Sequence, residues 1–352
     1  MSRPHLPAEI LAIDWGSTPA KRQMCRAVLS GGGYVVSPPR PVNDVAALEL
    51  NPGALAAFDC PIGVSREYAA RAQLSSFRGA LAIFGSGRFE RFYEPAQRAD
   101  IATERPFYPA GRTKGTRRDD LRGVLGEAAF APRDCDRLAG AGPIFWLVGA
   151  RQVGRSAAYV WREVITPRLD RVALWPFDGP LAELLTTGRP VIAEMYPAFL
   201  LRTLGVTVAR KSESAARAAC GRALLRRVGA DARLDLDEVR ALLHDGFGAS
   251  RSGEDPFDAT IACIGLARLL LDGAIPEPPA AARAVEGWIL GLPDARLCNR
   301  NGGVSRRTRP RCGRRRTAPR STRASCPRAR PRWPRSSSCA CAREGPSTTR
   351  PG

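Results

Sequence analysis

Three short apolar runs, each closing on a carboxylate and then a turn, set the pattern of this chain. Ile10-Leu11-Ala12-Ile13 runs into Asp14-Trp15-Gly16-Ser17-Thr18, and Ala54-Leu55-Ala56-Ala57-Phe58 into Asp59-Cys60-Pro61-Ile62-Gly63. Pro190-Val191-Ile192-Ala193 runs into Glu194-Met195-Tyr196-Pro197. Short continuous apolar runs bounded by turn signals predict strands buried on both faces. Such a strand has no place for an unpaired charge, so Asp14, Asp59 and Glu194 belong at carboxyl ends, where the chain leaves the sheet. Met24–Leu29 and Tyr34–Ser37 flank Ser30-Gly31-Gly32-Gly33 and predict a hairpin with a glycine turn.

Helical patterns fill the intervals. One is expected over Asn43–Ala56, interrupted by Asn51-Pro52-Gly53, and another over Gln152–Ile165. The last convincing helix opens at Asp255-Pro256-Phe257-Asp258 and runs to Leu271. Asp255 reads as its N-cap, Pro256 as its first residue and Asp258 as a capping-box acid. Asp258, Ala262 and Gly265 share one face, and the two small residues would let that face press on a sheet. Residues 246–254 read as a flexible loop. Strands alternating with helices predict an α/β fold, a mixed or parallel sheet flanked by helices, with ligands gathered beyond the carboxyl ends of its strands.

Residues 65–142 interrupt the alternation as a helical or irregular insertion. Arginines and lysine (Arg88, Arg91, Arg112, Lys114) interleave there with Phe89, Phe92, Tyr93, Phe107 and Tyr108. Such interleaving can follow a phosphate backbone while bases stack on rings, so the segment is a candidate substrate-facing surface. The plainer reading makes the aromatics core and the arginines solvated.

Charge changes the picture only once it is located. The net charge is +20 over 352 residues, but Leu297–Gly352 holds 16 Arg against one acid, Glu344, and so carries +15 of it, leaving +5 for Met1–Arg296. That tail, 297–352, is Arg/Pro/Ser/Cys-rich and almost free of large apolar residues, which predicts disorder. It reads as a basic arm on nucleic acid or, preferred here, as out-of-frame translation of a GC-rich gene. The folded domain is expected over 8–292. The body's five cysteines are scattered, without a CxxC pair, which suits a reducing compartment. No signal pattern and no run of about 18 apolar residues occurs, so a cytoplasmic location is expected.

The acids carry the chemistry. Asp14 alone reads as a turn residue paired with Lys21, and Asp258 alone as a helix cap. Together, Asp14, Asp59, Glu194 and Asp258 converging at one sheet end would repel one another without a cation, and hard oxygen ligands suit Mg²⁺ or Mn²⁺. Two such ions can activate water and stabilise a leaving oxygen in phosphodiester hydrolysis. Only His5 and His244 are present, in no HExxH pattern, which argues against a zinc hydrolase or a His-based triad.

The stretches IDWG…KR, FDCPIGV, FWLVGARQVG…WREV…LWPFDG, AEMYPA and DPFDATIAC…EGWILG, spanning Ile10–Leu292, resemble the family of domain of unknown function 429. The resemblance implies a ribonuclease-H-like fold and a divalent-metal nuclease acting on DNA or RNA. It implies Asp14, Asp59, Glu194 and Asp258 as catalytic acids, with Asp14, Asp59, Asp258 and Asp255 as metal ligands. Asp14 would bridge two ions and Glu194 would bind metal or orient water. Lys21, Arg22, Arg112 and Lys211 would contact substrate phosphate. Two alternatives stay open. The DWGST loop also resembles the first phosphate loop of actin-related sugar kinases, although no second Asp-Gly loop follows. The acidic pocket could also belong to a non-catalytic module that binds nucleotide or nucleic acid.

Overall fold

The three acid-terminated runs form neighbouring strands. β1 (Glu9–Trp15), β5 (Ala54–Phe58) and β7 (Val191–Glu194) pair in parallel, with Ile13 opposite Phe58 and Phe58 opposite Glu194. β1 also pairs antiparallel with β2 (Arg22–Ser30), which turns at Gly31-Gly32 into β3 (Gly33–Val36), the expected hairpin. The short strands β4 (Arg40–Pro41), β6 (Ala173–Leu174) and β8 (Leu234–Asp235) complete a mixed sheet of eight, ordered β6-β7-β5-β1-β2-β3-β8 with β4 against β2. In this computed structural model the chain divides into Met1–Gly303 and Val304–Gly352. The structure describes residues 5–16, 18–111, 115–148, 153–249 and 251–294. The basic tail, Ser17, Arg112 and Lys114 therefore lie outside the described residues.

Strand alternation divides the core in two. Ile10 and Ala12 of β1, Leu55 and Ala57 of β5, and Val191 and Ala193 of β7 point to one side. There they meet the helices Pro197–Thr203, Ser214–Val228, Asp237–Asp245 and Glu254–Leu271. Leu11, Ile13, Ala56, Phe58 and Ile192 point to the other side, into a layer of aromatic residues. We call these the helix face and the aromatic face.

The aromatic face corrects the expectation for residues 65–142. The segment is helical and irregular, but Phe89, Phe92, Phe107 and Tyr108 are buried in its core, with Phe84 stacked on Phe92 and edge-on to Phe89. These rings are packing, not a platform for bases. The layer also runs past residue 142, taking in Phe145, Trp161 and Val164.

Other expectations shift in detail. No helix forms over Asn43–Ala56: Gly53 takes φ +74°, a turn conformation, and β5 begins directly after it. The helix expected to end at Ile165 is α-helical over Gly154–Tyr159 and π-helical over Val160–Ile165. Pro167 has no N–H to give the Glu163 carbonyl four residues back, and the Arg168 guanidinium reaches that carbonyl (3.4 Å) and the Val164 carbonyl (3.1 Å) instead. The last helix starts two residues early, at Glu254, with Gly253 at its cap, so Asp255 and Pro256 lie inside its first turn. Gly265 does not meet the sheet. A Cβ there would stand 2.9 Å from Leu200 Cβ, so the small residue serves a helix–helix approach.

Among the described residues, no helix is long and apolar enough to cross a membrane.

The turn after β5 is locked by the chain's last described segment. Val64 N–H donates to the Val285 carbonyl (2.9 Å), and Leu290 N–H donates to the Glu194 carbonyl (2.9 Å). Gly63 has φ +136°, and a Cβ on it would lie 2.1 Å from the Glu286 carbonyl oxygen. Gly63→Ala should therefore lower unfolding free energy by about 2–4 kcal/mol through strain and overlap. Urea denaturation would check this, and a loss below about 0.5 kcal/mol would contradict so close a packing.

Candidate active site

Asp14 and Asp59 extend their strands by the same parity. Asp14 follows Ile13 and so points with Ile10 and Ala12 to the helix face, and Asp59 points with Leu55 and Ala57 to that face. The Asp59 N–H donates to the Ile13 carbonyl (2.9 Å), which sets the two residues side by side on neighbouring parallel strands. The helix Glu254–Leu271 packs over this face against β1 and β2, and Asp258 in its second turn joins the pair. Neither Asp14 nor Asp59 accepts a side-chain hydrogen bond from any described residue. Their charges are therefore answered by other charges.

Burial raises Asp14 well above the ordinary carboxylate range, reinforced by Asp59, Asp258 and Asp255 and opposed by Lys211. Asp59 is pushed up to about 7 by burial and by Asp258, again against Lys211. Asp258 is raised by burial, although Lys211 pulls the other way. Asp255 is raised by burial and by Asp258 and Glu254, against the pull of Lys21 and Lys211. Four acids and one inward-reaching lysine thus form one electrostatic unit. Lys211 Nζ pairs directly with Asp258 Oδ2. Burial alone would lower the lysine, but Asp258, Asp59 and Asp14 hold its pKa above the usual value.

The loop carrying Lys211 is fixed by a residue the sequence did not suggest. Arg217 is fully buried at the start of the helix Ser214–Val228. Its guanidinium donates to the Lys211, Gly246 and Gly248 carbonyls, the last two at 2.7 and 2.9 Å. It thereby ties the lysine loop to the loop that precedes the last helix. Nothing in the local pattern marks it, because an arginine in an Ala/Leu/Arg helix reads as solvated.

Two predicted residues go elsewhere. Glu194 has the parity of Ile192 and points to the aromatic face, away from Asp14 and Asp59. There Arg133 grips it with both terminal nitrogens at 2.7 Å, and the Ile62 N–H donates to the same carboxylate at 2.8 Å. The same guanidinium holds Asp136 (2.9 and 2.7 Å) and donates to the Glu286 carbonyl (3.1 Å). All five of its N–H groups are used. Glu194 is a structural anchor, although its charge still raises Asp59. Arg22 stands opposite Trp15 and shares its face, the aromatic one. Its guanidinium rests against both the Trp15 and Tyr159 rings, 4.7 and 4.2 Å from their centroids, on the face away from Asp14.

Lys21 stays exposed beside Asp255. Gly16 serves its own turn, since a Cβ there would come within 2.4 Å of Lys21 Cβ. Arg112 lies outside the described residues. Among the described residues no three His, Cys, Asp or Glu side chains are arranged to hold a metal ion, and Asp258 is turned to Lys211. The donor chemistry nevertheless suits a hard cation: oxygen ligands, mutually repelling, two of them without hydrogen-bond donors. No family model, curated protein or solved structure matches the chain.

Two outcomes follow. Arg133→Met leaves two buried carboxylates unpaired and should cost about 3–5 kcal/mol, measured as a fall in urea midpoint; an unchanged midpoint would show the pair to be dispensable. Asp59 is held at about 7 in the fold against an ordinary 3.8. The native state therefore binds that proton more tightly than the unfolded chain. Its contribution favours folding below about pH 4 and is lost as pH rises to about 7. In the presence of chelator, Asp59→Asn should be more stable than the wild type by about 1–2 kcal/mol at pH 8, with the difference closing at pH 4. Thermal unfolding at the two pH values reads this directly.

Proposed function

We propose that the chain is a divalent-metal-dependent phosphodiester hydrolase, a nuclease of ribonuclease-H-like architecture acting on DNA or RNA. The observation that carries the reading is the gathering of Asp14, Asp59 and Asp258 on one face at the carboxyl tips of the two central parallel strands. Burial raises all three, Asp59 and Asp258 add to it at Asp14 and Asp258 adds to it at Asp59, while Lys211 opposes each. Acids so placed oppose folding unless a cation serves them. The architectural part rests on the antiparallel β1-β2-β3 meander continued beyond β1 by parallel β5 and β7. The resemblance to the family of domain of unknown function 429 points the same way.

Asp14, Asp59 and Asp258 would hold Mg²⁺ or Mn²⁺, with Asp255 at the margin. Bound there, the metal would lower the pKa of a water molecule and offset charge on the phosphate. The chain's own residues do the rest. Lys211, anchored through the Arg217 clamp, presents a cation at the mouth of the cluster for a substrate phosphate. Exposed Lys21, on the Asp255 side, extends that positive edge. Glu194 acts at one remove, holding the turn after Asp59 through Ile62.

Labelled single- and double-stranded DNA and RNA, incubated with Mg²⁺ or Mn²⁺, should be hydrolysed. Asp14→Asn should lower that rate by at least about 100-fold, beyond the 10–100-fold typical of losing a residue that merely supports a ligand. Hydrolysis that survives Asp14→Asn, or ATP turnover with a sugar in its place, would overturn the reading.

A further inference from the structure

The geometry points to a second ligand site, for a small phosphate-bearing anion, on the aromatic face of the sheet at Arg22 and Arg168. It is separate from the carboxylate cluster and does not rest on the nuclease reading. Arg22 is 3 % exposed, yet it has no carboxylate partner among the described residues. Its one hydrogen bond runs from Nε to the Gly16 carbonyl at 3.4 Å, a long and weak contact. The other four N–H groups meet no acceptor among the described residues. The Trp15 and Tyr159 rings, whose centroids are 5.8 Å apart, both pack against the guanidinium without enclosing it. The rings answer part of its charge, and the donors left without an acceptor call for a partner.

The surroundings supply the rest of a site. Arg22 and Tyr159 line a cavity of about 560 Å³ with Arg168, Arg171, Asp44 and Glu163, a volume in the ligand range. Arg168 is half-buried and likewise has no carboxylate partner among the described residues: its guanidinium donates to the Glu163, Val164 and Val45 carbonyls at 3.4, 3.1 and 3.0 Å. The two acids are partly engaged, Glu163 by Arg162 at 2.5 Å and Asp44 by the Ala46 N–H at 2.8 Å. Three arginines therefore face a cavity in which two have no carboxylate partner among the described residues. Arginine edges suit phosphate oxygens through paired N–H donors. The ligand class is a phosphomonoester or pyrophosphate group.

Isothermal titration of the full chain with inorganic phosphate and with pyrophosphate, at fixed ionic strength, tests this. One saturable site is expected. Arg22→Lys and Arg168→Gln should each weaken it by about 10-fold or more, while Lys211→Gln should leave it within about twofold. Arg168→Gln keeps the test open if the buried Arg22→Lys variant does not fold, and thermal unfolding of each variant decides that. Absence of saturable binding, dependence on Lys211 in place of Arg168, or binding of an oligonucleotide but not of pyrophosphate would each overturn the assignment.

Discussion

Successive side chains of a strand point to opposite faces of its sheet, and in this molecule that alternation decides which charges meet. Asp14 and Asp59 each stand one position beyond a residue of the aromatic face, so both project to the helix face. Glu194 stands one position beyond Ala193, a helix-face residue, and projects the other way. Three acids with the same local signature, an apolar run followed by a turn, are thus divided two to one by a single residue of register. Asp258 completes the first group because its helix covers the helix face. Arg133 completes the second because both its terminal nitrogens reach the Glu194 carboxylate.

The two groups answer the same problem, carboxylates removed from water, in opposite ways. On the aromatic side a guanidinium with every donor engaged holds Glu194 and Asp136, and the arrangement joins β7, the turn after Asp59 and the Glu286 backbone. Such a pair is costly to break from one side, which suits a structural anchor. On the helix side four acids share Lys211, and burial, with Asp258 beside it, still pushes Asp59 up to about 7. A site organised only for stability would bring more donors to Asp14 and Asp59. The absence of those donors among the described residues is what makes this cluster, and not the Glu194 pair, the candidate for chemistry.

Much of this was legible in the sequence. The apolar runs before Asp14, Asp59 and Glu194, the glycine hairpin, and the last helix with its acids were all readable from periodicity and turn chemistry. Parity was readable too, since counting from the apolar positions separates Glu194 from Asp59 once the strands are paired. Arg133 could not be read. Its i, i+3 relation to Asp136 looks like a surface pair, and its partner Glu194 is sixty-one residues away. The aromatic insertion misled because burial depends on what covers a ring. Phe92 and Phe107 are stacking candidates until Phe84 covers the first and Trp161, far along the chain, meets the second.

The two faces differ finally in what could be exchanged without loss. Lys211 is half-exposed and held by one carboxylate, on a loop clamped through backbone carbonyls, so its side chain can leave Asp258 while its backbone stays in place. Arg133 has no such freedom: it is 1 % exposed, and its departure would uncover two carboxylates at once. A replaceable cation over a repelling set of acids leaves room for the metal ion we propose, whereas an irreplaceable one defines the wall behind it. Glu194, through its Ile62 contact, transmits that rigidity to the turn that begins at Asp59. The anchored face thereby keeps Asp59 in position beside Asp14 against the repulsion between them.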